Sequence, residues 1–232
     1  MTIPLADKLY WATGIEQPFS DITTNGLGQN VQDVPDFATH LRYESDFGHA
    51  QVSSVFRSIG FRPTEGSTQY KFGWGVSASG VVHPWALLLC SDPVRNDNPT
   101  GLERSRILVQ YNVGNGIGRN IDDLLGIGHD GQVDPVTGQL HTVYAAGWTA
   151  SYEHWFDEKW LTNVTYSGVS TGSAPNQSGN TYVGAKYLAV ALWFIPVGNL
   201  STGIEYLWGE RKDLDGRRGK DNRINAMFQY DF

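Results

Sequence analysis

The sequence predicts an all-β chain, an antiparallel transmembrane β-barrel with about ten strands in this chain. Three observations carry that prediction. Apolar and polar residues alternate almost throughout, which is the period of side chains on a strand. Charged residues make up 18% of the 232, aromatics 12%, and there are 27 glycines, a composition poorer in charge than a soluble domain usually is. The connections between alternating segments are short and long in turn, as in barrels with short periplasmic turns and longer extracellular loops.

In chain order, the strands read as 7–17, 36–46, 49–62, 70–83, 104–119, 141–156, 160–170, 181–195, 199–211 and 222–232. A long polar connection, Phe19–Pro35, follows the first, and the short Phe47-Gly48 turn closes the second. Pro63–Gln69 follows the third, and the fifth leads into Ile121–Leu140. Asp157-Glu158-Lys159 is short, Thr171–Asn180 is long, Pro196-Val197-Gly198 is short and Lys212–Asp221 is long. The ninth strand sets Leu200, Thr202, Ile204, Tyr206 and Trp208 against Ser201, Gly203, Glu205 and Gly209. The tenth sets Ile224, Ala226, Phe228, Tyr230 and Phe232 against Arg223, Asn225, Met227, Gln229 and Asp231. One connection departs from the alternation. His83–Glu103 falls where a short turn is expected, yet it is long and holds the apolar run Trp85–Cys90. It is read as a strand extension or a small periplasmic plug.

Composition excludes several classes. The lone Cys90 rules out a disulfide framework. A net charge of -7 argues against nucleic acid as a partner. No run of about 18 apolar residues is present, so no membrane helix is expected, and the chain does not open with a basic segment followed by an apolar one. A soluble β-sandwich or barrel binding module also alternates. Two features favour the membrane. Trp11, Tyr43, Phe72, Tyr152, Trp208, Phe228, Tyr230 and Phe232 lie on the apolar face near strand ends, as interfacial girdles do. The opposite face is polar and glycine-rich, which suits a wet lumen and not a packed core.

The chain ends Phe228-Gln229-Tyr230-Asp231-Phe232. Aromatics at Phe228, Tyr230 and Phe232 resemble the terminal signal of bacterial outer-membrane barrels, read by the barrel-assembly machinery. Longer stretches resemble one porin family. These are Glu16-Gln17-Pro18, Asp21-Ile22-Thr23, His40 to His49, Gly73-Trp74-Gly75, Gly116 to Arg119, Tyr152 to Trp155, Gly203 to Gly209, and Asn222-Arg223-Ile224 leading to the terminus. They look like the DcaP-like porins, a family associated with dicarboxylate uptake. The resemblance implies a Gram-negative outer-membrane location and contact with outer-membrane lipid. It implies passage of small anionic solutes such as organic dicarboxylates, and no cofactor. A homotrimer is a candidate assembly. Family members carry about 16 strands and a preceding segment, so residues 1–232 read as a single, N-terminally incomplete barrel domain.

For a pore, the chemistry lies in the lining. Alternation puts His40, Arg42 and Glu44 on the lumen side, followed by Gln51, Ser53 and Arg57, then Lys71, Ser77 and Ser79. Arg106, Gln110, Asn112 and Arg119 follow on the fifth strand, and Tyr187, Glu205 and Arg223 on the last three. Equal offsets from the Phe47-Gly48 turn set Arg42 near residue 53. Arg42, Arg57, Arg106 and Arg119 could then form a basic ladder, since guanidinium groups take carboxylates bidentately. The alternative is that inward arginines pair with Glu44, Glu153, Glu205 or Asp231 and brace the wall. Ile121–Leu140 either folds inward as a constriction or stays at the surface around the turn Asp134–Gly138. The Gly114–Gly118 run lacks the strand–helix context of a dinucleotide site. Asp213-Leu214-Asp215-Gly216 begins like a calcium loop, but Arg217, Arg218 and Lys220 stand where ligands belong. No metal-ligand spacing and no catalytic motif stands out. The rival to a channel is an omptin-like outer-membrane enzyme using His129, Asp130 and His141 near the rim.

Overall fold

The computed structural model describes residues 1–89 and 101–231. Cys90 and Phe232 lie outside the described residues. The ten expected strands all form. In chain order the elements are β1 (Thr2–Ala6), β2 (Leu9–Glu16), β3 (Ile22–Thr23), β4 (Gly28–Val31), β5 (Asp36–Ser45), β6 (Gly48–Pro63), β7 (Gln69–Val82), α1 (Pro84–Leu89), α2 (Gly101–Arg104), β8 (Arg106–Asn115), β9 (Gly131–Val133), β10 (Leu140–Thr142), β11 (Tyr144–Trp155), β12 (Trp160–Thr171), β13 (Tyr182–Val197), β14 (Leu200–Asp213) and β15 (Arg218–Tyr230). The wall is one continuous antiparallel meander, β1-β2-β5-β6-β7-β8-β11-β12-β13-β14-β15, with β4 added onto β6. Each strand of the wall pairs with the next, so the ladders satisfy backbone groups without water. Ten antiparallel steps bring the last strand back to the direction of the first. β1 and β15 therefore run the same way and are not paired among the described residues. Antiparallel closure across that gap takes an odd number of further strands.

Register assigns the faces. Phe37 pairs with Phe56, Phe56 with Trp74, Ala78 with Tyr111 and Tyr111 with Trp148. Tyr166 stands opposite Leu188, Leu192 opposite Ile204 and Tyr206 opposite Ile224. This face is apolar and bare: Phe72 is 65% exposed, Ile224 71% and Phe228 73%. Stacked Phe37, Phe56 and Phe72 lie 6.3 Å apart, centroid to centroid, in each successive pair. An apolar belt of this extent on the outside, with polar residues inside, is the inverse of a soluble barrel and suits lipid. It leaves the soluble binding module without a packed core between its strands.

Two clusters of buried apolar residues lie where loops fill the lumen. Ile117, Ile121 and Leu124 pack on Ala145 and Val169 of the wall, with Val55, Tyr182 and Ala185 at the edge. Ile59 and Phe61 of β6 pack on Val133 and Leu140. β10, β9 and β3 form a small second sheet, in which β3 runs parallel to β9. The Ile121–Leu140 connection therefore folds inward, while its end keeps the expected turn. There the Asp134 carboxylate accepts the Val136 N–H at 2.8 Å, and this bond holds its pKa below the usual carboxylate value.

Three connections differ from expectation. Among its described residues, His83–Glu103 extends no strand. Its described parts are the short helices α1 and α2, tied to the wall by Trp85 Nε1 donating to the Tyr152 hydroxyl at 2.8 Å and by Arg104 over the Trp155 ring. Lys212–Asp221 is mostly strand, leaving a turn of residues 214–217. In that turn Asp215 is taken by the Arg217 N–H and guanidinium. The turn is displaced by one residue from Phe47-Gly48 to Asp46-Phe47, because Ser45 pairs with Gly48. Gly48 has φ +139°, and a Cβ there would lie 1.9 Å from the Val81 carbonyl oxygen, so only glycine fits.

Candidate pore lining

The inner wall is arranged in tiers. Nearest the short turns, Arg106 pairs with Glu153, Glu153 with Asn163, Ala191 with Glu205 and Glu205 with Asn225. Arg106 Nη2 meets Glu153 Oε2 at 3.1 Å, and Asn225 Nδ2 donates to Glu205 at 3.1 Å. Arg223 lies one step higher, opposite Leu207. At mid-height, Arg42 pairs with Gln51, Gln51 with Ser79, Ser79 with Gln110, Gln110 with Thr149, Thr149 with Ser167 and Ser167 with Tyr187. Arg42 therefore sits two residues below its expected place beside residue 53, on the expected face. Its Nε donates to Glu44 at 3.0 Å.

Arg57 also faces inward, but its side chain is only 1% exposed. It meets Asp36 at 2.9 Å and Asp130 at 3.0 Å. It also donates to the carbonyls of Gly116 (2.6 Å) and Phe19. Asp130 further accepts the backbone N–H of Arg119 and of Asp21. Arg57 thus departs from the expected solute-contacting ladder. Every face of its guanidinium is spent holding two loops to the wall. Arg119 departs as well. β8 ends at Asn115, and Arg119 sits in the 3-10 turn Gly118–Asn120. There it donates to the Phe19 carbonyl at 2.6 Å and lies over the Phe19 ring. Phe228 and Tyr230 stand on the outer face, 73% and 48% exposed.

The inward loop contributes charge of the opposite sign. Asp122 and Asp123 are exposed and line a cavity of about 520 Å³ with Gln110, Asn112, Thr149 and Tyr187. Partial burial and the neighbouring Asp122 push the Asp123 carboxyl above the usual carboxylate range. Acidification therefore neutralises it earlier than an ordinary aspartate. In a potassium chloride gradient, the reversal potential should move toward anions as acidification neutralises Asp123. A potential that Asp123→Asn leaves with the same pH profile would count against this assignment.

Alternation gives no sign of the place of Tyr182. A bulge between Tyr182 and Gly184 re-aims it. It points into the loop cluster, edge-on to His129 and under Arg211. His129 is buried, with its two ring nitrogens each 3.0 Å from a backbone carbonyl, those of Ile127 and Tyr182. With Asp130 spent on Arg57, the expected His129–Asp130 pair forms a structural junction. Among the described residues, no group of three or more His, Cys, Asp or Glu gathers as a metal site would require.

The wall, its outer belt and its loop-filled lumen define the class: an antiparallel transmembrane β-barrel fold. The solved structure of the outer membrane channel DcaP of Acinetobacter baumannii has this fold, with a TM-score of 0.78 and 15% sequence identity over 100% of this chain. The chain spans 61% of that channel's length. No family model matches the sequence, and no curated protein does.

Proposed function

We propose that the chain forms most of the wall of an outer-membrane channel through which small hydrophilic solutes diffuse passively, with an odd number of further strands completing the barrel. The observation that carries this is the reversal of faces, lipid-ready aromatics outside and hydrogen-bonding residues inside, with a loop folded across the lumen. The fold shared with the DcaP channel supports it. Small anions, organic dicarboxylates among them, are the proposed solutes. Arg42, Arg106 and Arg223 support that choice by facing inward, and a fixed positive charge in a pore favours anions. Arg42 engages Glu44 through Nε alone, so its terminal nitrogens carry no hydrogen bond among the described residues. Glu44 and Glu205 would keep that attraction weak enough for release.

The test is the reversal potential of the reconstituted channel in a gradient of potassium succinate. Joint replacement Arg42→Ala, Arg106→Ala and Arg223→Ala should shift it toward cations. An unchanged potential would remove all three from the selectivity site. Lipid contact predicts that the protein needs detergent or bilayer to stay dispersed, and that assembly fails when Phe228 and Tyr230 are both made serine.

A further inference from the structure

The mid-height tier has a chemistry of its own. From β6 to β13, six successive wall positions on one register row, Gln51, Ser79, Gln110, Thr149, Ser167 and Tyr187, carry a carboxamide or a hydroxyl and no charge. None of the six is buried. Strands lie roughly 4.8 Å apart, so the row runs about 24 Å around the lumen. Above it, Ser53, Ser77 and Asn112 stand on the next inward row. Gln110 and Asn112 are shared by two cavities of about 470 and 520 Å³ on either side of the inward loop. They bond each other only once, Gln110 Nε2 to Asn112 Oδ1 at 3.1 Å. The Gln110 oxygen and the Asn112 amide are left facing the lumen as an acceptor and a donor.

The row can donate to a bare dicarboxylate but also presents acceptors that such a solute, having no donor, leaves unused. It suits a solute with hydroxyls along its carbon chain, since each hydroxyl both donates and accepts and would otherwise give up water on entering. The row begins at Arg42 on β5, while Asp122 and Asp123 line the cavity at its Gln110 to Tyr187 end. A carboxylate end is thereby turned toward Arg42. We propose that the channel favours hydroxylated carboxylates, the sugar-acid and hydroxy-dicarboxylic class, and that Gln110 and Asn112 are the residues that read the hydroxyls. This rests on the anion-channel reading above.

The experiment compares succinate with tartrate, which is the same skeleton bearing two added hydroxyls. The protein, purified from outer membranes with the strands that complete its wall, is placed in planar bilayers under bi-ionic gradients. Tartrate should permeate about threefold faster than succinate, the size that one net hydrogen bond supplies. Gln110→Leu with Asn112→Leu should bring the two rates together. Equal rates in the unaltered channel, or a ratio the double variant leaves untouched, would overturn the proposal while the channel reading stands. If neither anion carries current, the anion reading fails and takes this inference with it.

Discussion

Replacing Arg57 by alanine is expected to destabilise the folded chain by about 3–5 kcal/mol, the cost of leaving buried charges uncompensated. The guanidinium is 1% exposed, and its two carboxylate partners are 3% and 0% exposed. Without it, Asp36 and Asp130 face each other's charge with no cation between them. The Phe19 and Gly116 carbonyls lose their donor at the same time. Lysine at this position should recover only part of the loss, because one ammonium cannot reach four acceptors in the planar fork of a guanidinium. The deficit should depend on pH with a definite sign. Burial already raises the Asp130 carboxyl above the usual range with Arg57 present, and removing the cation raises it further. The folded variant then binds a proton the unfolded chain does not, so its stability recovers as pH falls through that raised pKa. Urea unfolding in detergent at neutral and mildly acidic pH measures both effects. A neutral-pH loss below about 1 kcal/mol, the scale of an exposed pair, would show that the cluster is solvated and not a latch.

Arg57 also marks the limit of what the sequence discloses. Its direction was legible, because side chains on a strand alternate and β6 holds its register over sixteen residues. Its partners were not. Asp36 is 21 residues away, and Asp130 arrives from a loop that carries no period. The strands were legible for the same reason their faces were: lipid outside and water inside demand strict alternation. The loops obey no such demand. β3 and β9 pair in parallel through two rungs, and nothing in Ile22-Thr23 or Gly131-Gln132 announces it. Arg119 was misplaced because the apolar pattern runs on past Asn115, whereas Gly116 turns the chain with φ +72°. The place of Tyr182 was not legible, because a bulge at residue 183 shifts the alternation by one. The neutral row was visible residue by residue. Only the register of each neighbouring pair lines it up from strand to strand.

Leu124→Ala is expected to destabilise the chain by about 2–5 kcal/mol and to raise single-channel conductance severalfold. Leu124 is fully buried although it belongs to a connection, and it holds the inward segment down together with Ile117 and Ile121. The wall has made room for that segment. A Cβ on Gly75 would come within 2.7 Å of Ile117 Cγ2, so β7 gives up a side chain where the loop lies against it. This apolar hold is distinct from the Arg57 latch further along the same connection, and the two respond differently. Loss of Leu124 frees the part of the loop that crosses the lumen, while Asp130 remains tied to Arg57. Loss of Arg57 frees the far end, while the apolar cluster remains. Conductance should therefore rise most with Leu124→Ala, and global stability should fall most with Arg57→Ala. A Leu124→Ala channel of unchanged conductance but lowered stability would mean that the segment packs against one side of the lumen without narrowing it, and that the row from Gln51 to Tyr187 faces an open passage.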